Sequence, residues 1–301
     1  MRYQVTHKTT YSYDNPVSVS HHLVRQTPRD LPRQHFAERE LLSDPKPALL
    51  TSREDYFGNI VAFMTVEGPH SRLTVTSRSV VELFPCAWPA PVSTPAWESI
   101  RDLCRGTGQD TALEACEFAF PSPLVPRGAQ FSEYGQQSFP SGRPVLEAAA
   151  NLMERIHHDF KFDPRATTVA TPLDQVLRQR RGVCQDFAHL QIACLRSLGL
   201  PARYVSGYLE TLPPPDRPKL QGADASHAWL QVWCGEVGWV DLDPTNNLLP
   251  SDRHITLAWG RDFDDVSPLR GVLTGSGRHQ LQVAVDVVPL PQPSTTSPPP
   301  A

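Results

Sequence analysis

Cys184 follows Gly182-Val183 and heads a stretch, Cys184-Gln185-Asp186-Phe187-Ala188-His189-Leu190-Gln191-Ile192-Ala193-Cys194-Leu195-Arg196-Ser197-Leu198, that closes on Gly199 and Pro201. Its periodicity predicts a helix that starts near Cys184 and stops at Gly199. A thiol in a first helical turn sits among unpaired N–H groups at the positive end of the macrodipole. Both favour thiolate, and such placement can take a thiol pKa from about 8.5 into the range of roughly 3.5–7.5. The same N–H groups could hold the oxyanion of a tetrahedral intermediate. Arg180 and Arg181 add positive charge nearby. Cys194 falls deep in the same helix, where no N–H is free, and reads as core. On this segment alone, a buried helix cysteine without chemistry fits as well as a nucleophile.

A second group of residues decides between them. Ser226-His227-Ala228-Trp229-Leu230-Gln231-Val232-Trp233 and Trp239-Val240-Asp241-Leu242-Asp243-Pro244-Thr245 flank the loop Cys234-Gly235-Glu236-Val237-Gly238. Two alternating runs around a Gly-containing loop predict an antiparallel hairpin. With the loop centred on Gly235, His227 lies opposite Asp243; centred on Glu236, it lies opposite Thr245 with Asp243 on the diagonal. In both registers His227 and Asp243 point to one face, because the strand period is two. The even-numbered face (Ala228, Leu230, Val232, Val240, Leu242) is apolar and belongs on the core. A carboxylate facing an imidazole fixes its tautomer and stabilises its protonated form. Asp241 shares that face as the weaker candidate. The other histidines read as structural or solvated: His157 and His158 at a helix end, His189 turned away from Cys184, and His7, His21, His22 and His35 among predicted strands.

The elements that must position these groups divide the chain. Residues 1–90 are β-rich, with alternation in Arg2–Tyr13 and Arg72–Leu83 and turn signals at Tyr13-Asp14-Asn15-Pro16 and Phe57-Gly58-Asn59. Strict alternation returns at Leu281–Val287, so a strand over 279–288 is expected to complete the N-terminal sheet. Residues 91–143 form a helical, Pro-rich connector, with helix from about Thr94 to Cys116. Residues 144–270 form the core that carries the candidate site, including a helix from near Pro144 to His158 and a short one capped by Thr171 with Pro172 at its first position. The Pro-rich tail, residues 289–301, is too poor in apolar groups to fold. Pro213-Pro214-Pro215-Asp216-Arg217-Pro218 reads as a surface loop beside the site.

Composition bounds what such a site serves. Apolar residues make up 40% and charged residues 20% of 301, enough for a real core. The net charge is −4, with no basic block, so no nucleic-acid or membrane partner is expected. No secretory h-region and no apolar run of 18 residues occur, which predicts a cytoplasmic protein whose six cysteines stay reduced. No CxxC or other zinc spacing is present, and Asp262-Asp264-Asp265 reads as a solvated acidic loop, so no metal is expected.

Gly182-Val183-Cys184, His227-Ala228-Trp229 and Trp239-Val240-Asp241-Leu242-Asp243-Pro244-Thr245-Asn246, in that order, together resemble the core of the transglutaminase-like family. The strand Ala202-Arg203-Tyr204-Val205-Ser206-Gly207-Tyr208 between them is also typical. Pro28-Arg29 and Asp55-Tyr56-Phe57-Gly58-Asn59 resemble the N-terminal β region of bacterial members. The resemblance implies an α+β, papain-like fold, with a nucleophile helix against an antiparallel sheet and an N-terminal β-rich domain. It implies Cys184 as nucleophile, His227 as base and then acid, and Asp243 as its orienter. It also implies acyl transfer or hydrolysis at an amide through a thioester on Cys184, without cofactor. A protein or peptide substrate and an amine acceptor would be the partners. A second oxyanion donor is open among Gln185, a Trp indole and a Tyr hydroxyl. The competing readings are a cysteine peptidase or amidase on the same scaffold, and a non-catalytic protein-binding domain.

Overall fold

The computed structural model of this chain describes residues 1–106, 110–211 and 226–291. The Pro213–Pro218 loop and most of the Pro-rich tail lie outside the described residues.

Alternation in the first 83 residues becomes four strands: β1 (Arg2–Val24), β2 (Gln34–Asp44), β3 (Leu49–Glu54) and β4 (Ile60–Leu83). β1 and β4 run side by side over most of their lengths, β2 and β3 pair with β4, and all pairings are antiparallel. The Tyr13-Asp14-Asn15-Pro16 signal does not end β1. The ladder breaks register between Ser12 and Val17 and resumes, since Pro and its neighbours fit a bulge that bends a strand. At Phe57-Gly58-Asn59 the turn forms: Gly58 has φ +71°, and the Asp55 carboxylate accepts from the Phe57 and Asn59 N–H groups.

Among the described residues seven α-helices follow: α1 (Trp97–Arg105), α2 (Asp110–Cys116), α3 (Ala129–Gln136), α4 (Val145–Asp159), α5 (Leu173–Gln179), α6 (Cys184–Ser197) and α7 (Phe263–Val266). The single helix expected over Thr94–Cys116 is two, and Cys104 of α1 is joined to Cys116 of α2 in a disulfide with Cα atoms 5.2 Å apart. That corrects the expectation of six reduced thiols and leaves Cys86, Cys184, Cys194 and Cys234 free. The cap of α5 is Pro172, one residue later than expected. Asp262 is buried rather than solvated; it caps α7 by accepting from Asp264 N–H at 3.0 Å, and accepts from Leu124 N–H at 2.9 Å.

Two-residue strands β5 (Lys161–Phe162) and β6 (Arg181–Gly182) pair in parallel beside the start of α6. The core sheet has the order β10-β7-β8-β9, all antiparallel, from β7 (Ala202–Leu209), β8 (Ser226–Trp233), β9 (Trp239–Leu242) and β10 (His254–Gly260). Its even-numbered face on β7, β8 and β9 packs with α6 in one apolar cluster. Two late strands return to the first sheet: β11 (Leu269–Thr274) pairs Val19–Val24 of β1, and β12 (His279–Leu290) pairs Arg2–Tyr13. Tyr3, Val5, Val81, Val285 and Val287 join the same cluster as α6 and the core sheet. The two sheets are thus fused through one core, and burial of these side chains at about 1.5–3 kcal/mol each holds them together.

Candidate active site

Cys184 is the first residue of α6. Val183 precedes it in extended backbone at φ −116°, and the Asp186 carboxylate folds back to accept the Val183 N–H at 2.8 Å and the Thr167 hydroxyl at 2.6 Å. This carboxylate fixes the first turn. It leaves no room at position 182, where an added Cβ would lie 2.6 Å from Asp186 Oδ2. The Gly two residues before Cys184 is therefore a packing requirement. The Cys184 and Gln185 N–H groups belong to the first turn and have no intrahelical acceptors. Cys184 is half-buried, whereas Cys194 and Cys234 are buried and pushed up to about 12 by burial.

The hairpin takes the second of the two registers. Leu230 faces Leu242 and Gln231 faces Asp241, because the loop closes through a 3-10 turn over Gly235–Val237. Extending the ladder sets His227 opposite Thr245 and Asp243 on the diagonal, where His227 Nε2 donates to Asp243 Oδ2 at 2.8 Å. β9 ends at Leu242, and the Asp243–Leu248 segment turns back on itself through paired backbone hydrogen bonds. In that turn Thr245 N–H and Asn246 N–H donate to Asp243 Oδ1 at 3.0 and 3.2 Å. Asn246 Nδ2 and His254 Nε2 donate to Oδ2 at 2.7 and 3.0 Å.

Five donors on one buried carboxylate settle its charge. Burial opposes ionisation, but the bonds from His227 and His254 outweigh it and hold Asp243 far below the usual carboxylate range. An ionised carboxylate only accepts, so both histidines must carry the proton on Nε2. For His227, burial again opposes charge; hydrogen bonding to Asp243 and to Cys184 overcomes it and raises the imidazole to about 10. For His254, burial dominates and lowers it, so it stays neutral. Its Nδ1 is buried with no hydrogen-bond partner among the described residues. The described residues bring three potential metal-ligand atoms, on His227, Asp243 and His254, within 4.8 Å of one another. Both histidine nitrogens there are already engaged as donors to the carboxylate.

Asp241, the weaker candidate, is placed elsewhere. Its Oδ1 accepts the Trp229 indole N–H at 2.6 Å, and its Oδ2 pairs with Arg33 Nη2 at 2.7 Å. That arrangement also removes the Trp229 indole from the possible oxyanion donors. Gln185 and Tyr204 do line the cleft with Cys184 and His227. Burial first, then the charges of Cys184 and Asp186, keep the Tyr204 phenol well above its ordinary range and protonated. Trp229 stacks obliquely on His227, ring centroids 5.9 Å apart. A Cβ at Gly207, opposite His227, would collide with the Trp229 ring and the Ile255 carbonyl.

Sequence reasoning missed His254, Asn246 and His7. His254 has no local pattern that marks it, and Asn246 closes the Asp243-Pro244-Thr245-Asn246 run that carries the family resemblance, which by itself gave it no role. His7 did: its face of β1 carries Tyr3 and Val5, so a histidine and Thr9 there are polar residues directed inward. His7 lines the cleft, with Nδ1 2.8 Å from the Tyr208 hydroxyl and Nε2 3.2 Å from Thr9 Oγ1, and burial lowers it to about 4.

Known proteins resemble this chain over most of its length. Residues 3–82 match the bacterial transglutaminase-like N-terminal region, and residues 134–244 match the transglutaminase-like superfamily. An uncharacterized protein of Mycobacterium tuberculosis is 42% identical over 296 residues, covering 96% of this chain and 93% of its own. A protein-glutamine gamma-glutamyltransferase of Pseudomonas aeruginosa is 33% identical over 105 residues, 34% of this chain and 16% of its own length. A solved structure from Cytophaga hutchinsonii, provisionally described as a cysteine protease, shares the fold with a TM-score of 0.75. That likeness covers 98% of this chain and 92% of the other at 20% identity.

Proposed function

The chain belongs to the transglutaminase-like superfamily, and from that premise we propose that it is a cysteine-dependent enzyme that transfers or hydrolyses acyl groups at an amide. One observation carries the reading. His227 is tied to the buried Asp243 on one nitrogen and shares the cleft with Cys184, the first residue of α6.

In the proposed reaction the Cys184 thiolate attacks the amide carbonyl carbon. The first-turn N–H groups of α6 take up the developing negative charge on the oxygen. His227 gives its proton to the departing amine, the C–N bond breaks, and a thioester remains on Cys184. Neutral His227 then removes a proton from the incoming amine or water, the C–S bond breaks, and the thiolate returns. Asp243 holds the imidazole in the one orientation and tautomer that serve both steps. His254 and Asn246 hold Asp243.

The test is mass-spectrometric capture of an acyl adduct on Cys184 from a panel of glutamine- and asparagine-containing peptides. Release to added amine marks a transferase, and release to water a hydrolase. A first, substrate-free check is iodoacetamide labelling at near-neutral pH, where Cys184 should react ahead of Cys86. Cys86 is the fitting control: it is partly accessible and its thiol is raised by burial, whereas Cys104 is in a disulfide. Equal labelling of the two would count against the reading.

A further inference from the structure

The cleft over Cys184 has two walls of different origin. One is the core: Val183, Gln185, Tyr204, Ser206 and His227. The other is the first sheet and its connection: Tyr11 of β1, Leu281 and Val283 of β12, and Pro268 and Leu269 at the start of β11. The volume enclosed is about 290 Å³. Among the described residues no Asp, Glu, Lys or Arg lines it. The polar groups behind the second wall are engaged with one another, His7 with Tyr208 and Thr9, and Gln26 with Thr9.

We propose that this second wall selects the acyl donor: a peptide in extended form with an uncharged, apolar side chain next to the carbonyl that Cys184 attacks. The inference rests on the acyl-transfer reading. Three observations carry it. Leu281 and Val283 are 53% and 51% exposed while bordering a reactive thiol, and apolar surface left in water at that place is recovered when an apolar group covers it. A charged side chain against this second wall would lose hydration without meeting an opposite charge on it, since the cleft's charged groups, Cys184 and His227, belong to the other wall. Between His279 and Val285, β12 pairs with β1 on one side and with no strand on the other among the described residues. Its alternate backbone N–H and C=O groups can therefore pair with an extended peptide, as edge strands do.

Peptidyl chloromethyl ketones test it on the full-length protein, since alkylation of Cys184 forms one S–C bond and expels chloride whatever the acyl acceptor. Probes carrying Leu or Phe next to the ketone should label Cys184 faster than Lys or Asp probes by roughly 10- to 100-fold, the worth of one buried apolar side chain. An alkyl chloromethyl ketone without a peptide backbone should lag behind the Leu probe. Val283→Asp should flatten the preference, and Leu281→Lys should raise labelling by the Asp probe. Both positions are half exposed, so neither change should disturb folding, and each variant's probe rates are divided by its own iodoacetamide rate, which cancels the effect of the new charge on the Cys184 thiol. Labelling by iodoacetamide with no preference among the probes, or a preference untouched by both variants, would overturn the assignment while leaving acyl transfer standing. A faster alkyl probe would overturn its peptide part. Failure of iodoacetamide to label Cys184 would remove the acyl-transfer reading and this inference together.

Discussion

Asp241 and Asp243 are two residues apart at one end of a hairpin, and each accepts a ring N–H from the residue diagonally across β8. Asp243 takes it from His227 and Asp241 from Trp229. Both carboxylates are buried. They differ in what completes them. Asp241 is closed off by the Arg33 guanidinium, a permanent cation brought from the connection between β1 and β2. Asp243 is completed by neutral donors and by an imidazole that can gain or lose its proton at the edge of a cleft. The same cross-strand geometry thus makes a structural ion pair at one position and a proton-handling pair at the next. The decisive variable is whether the partner's charge can change.

The largest effect expected from breaking this contrast is on rate. Asp243→Asn should lower turnover by roughly three to four orders of magnitude, through loss of the imidazole's orientation and charge, with the fold retained. Steady-state kinetics beside a thermal melt would show it, and a loss of less than tenfold would remove Asp243 from the proposed role. At Asp241 the same substitution should act mainly on stability. It strands a mostly buried Arg33, a loss of up to about 3–5 kcal/mol in denaturant titration, whereas turnover per folded molecule should change far less.

The next effect concerns protonation. His227 is raised from 6.5 to about 10, so its stabilising contribution is fully present below pH 6.5 and is lost as the pH climbs through about 10. NMR titration of the His227 ring should show the high value in the wild type and a fall in Asp243→Asn. Asp241→Asn should leave it nearly in place. His254→Ala removes one charge-assisted donor to Asp243, worth about 1.5–3 kcal/mol. Turnover should fall by one to two orders of magnitude, and the His227 titration point should move as well; a purely structural role for His254 would leave that point where it is. The smallest effect is Gly182→Ala, which forces Asp186 off the start of α6. It should cost about 1–3 kcal/mol and slow iodoacetamide labelling of Cys184.

What could be read in advance follows the range of the interactions. The start of α6 at Cys184 was legible because Gly182, the 3.6-residue pattern and Gly199-Leu200-Pro201 are local signals. The shared face of His227 and Asp243 was legible because strand parity survives either register. The register itself was not, since it depends on a 3-10 turn within Gly235–Val237. Arg33 reaching Asp241, 208 residues away, has no local trace. Neither does the Cys104–Cys116 bond, which depends on how α1 and α2 meet. The failure at Tyr13–Pro16 has another cause: turn-forming residues mark a bulge as readily as a reversal, and only pairing with β4 and β12 tells them apart.

The pairing of β12 with β1 also has a consequence in time. A chain synthesised from its N-terminus has β1 through β4, α6 and the His227 hairpin in hand before β12 emerges. Leu281 and Val283, two of the five residues named in the second cleft wall, arrive after Cys184, His227 and Asp243. Contacts spanning nearly the whole sequence are slow to form, so Cys184 is synthesised well before the strand pairing that closes the cleft over it.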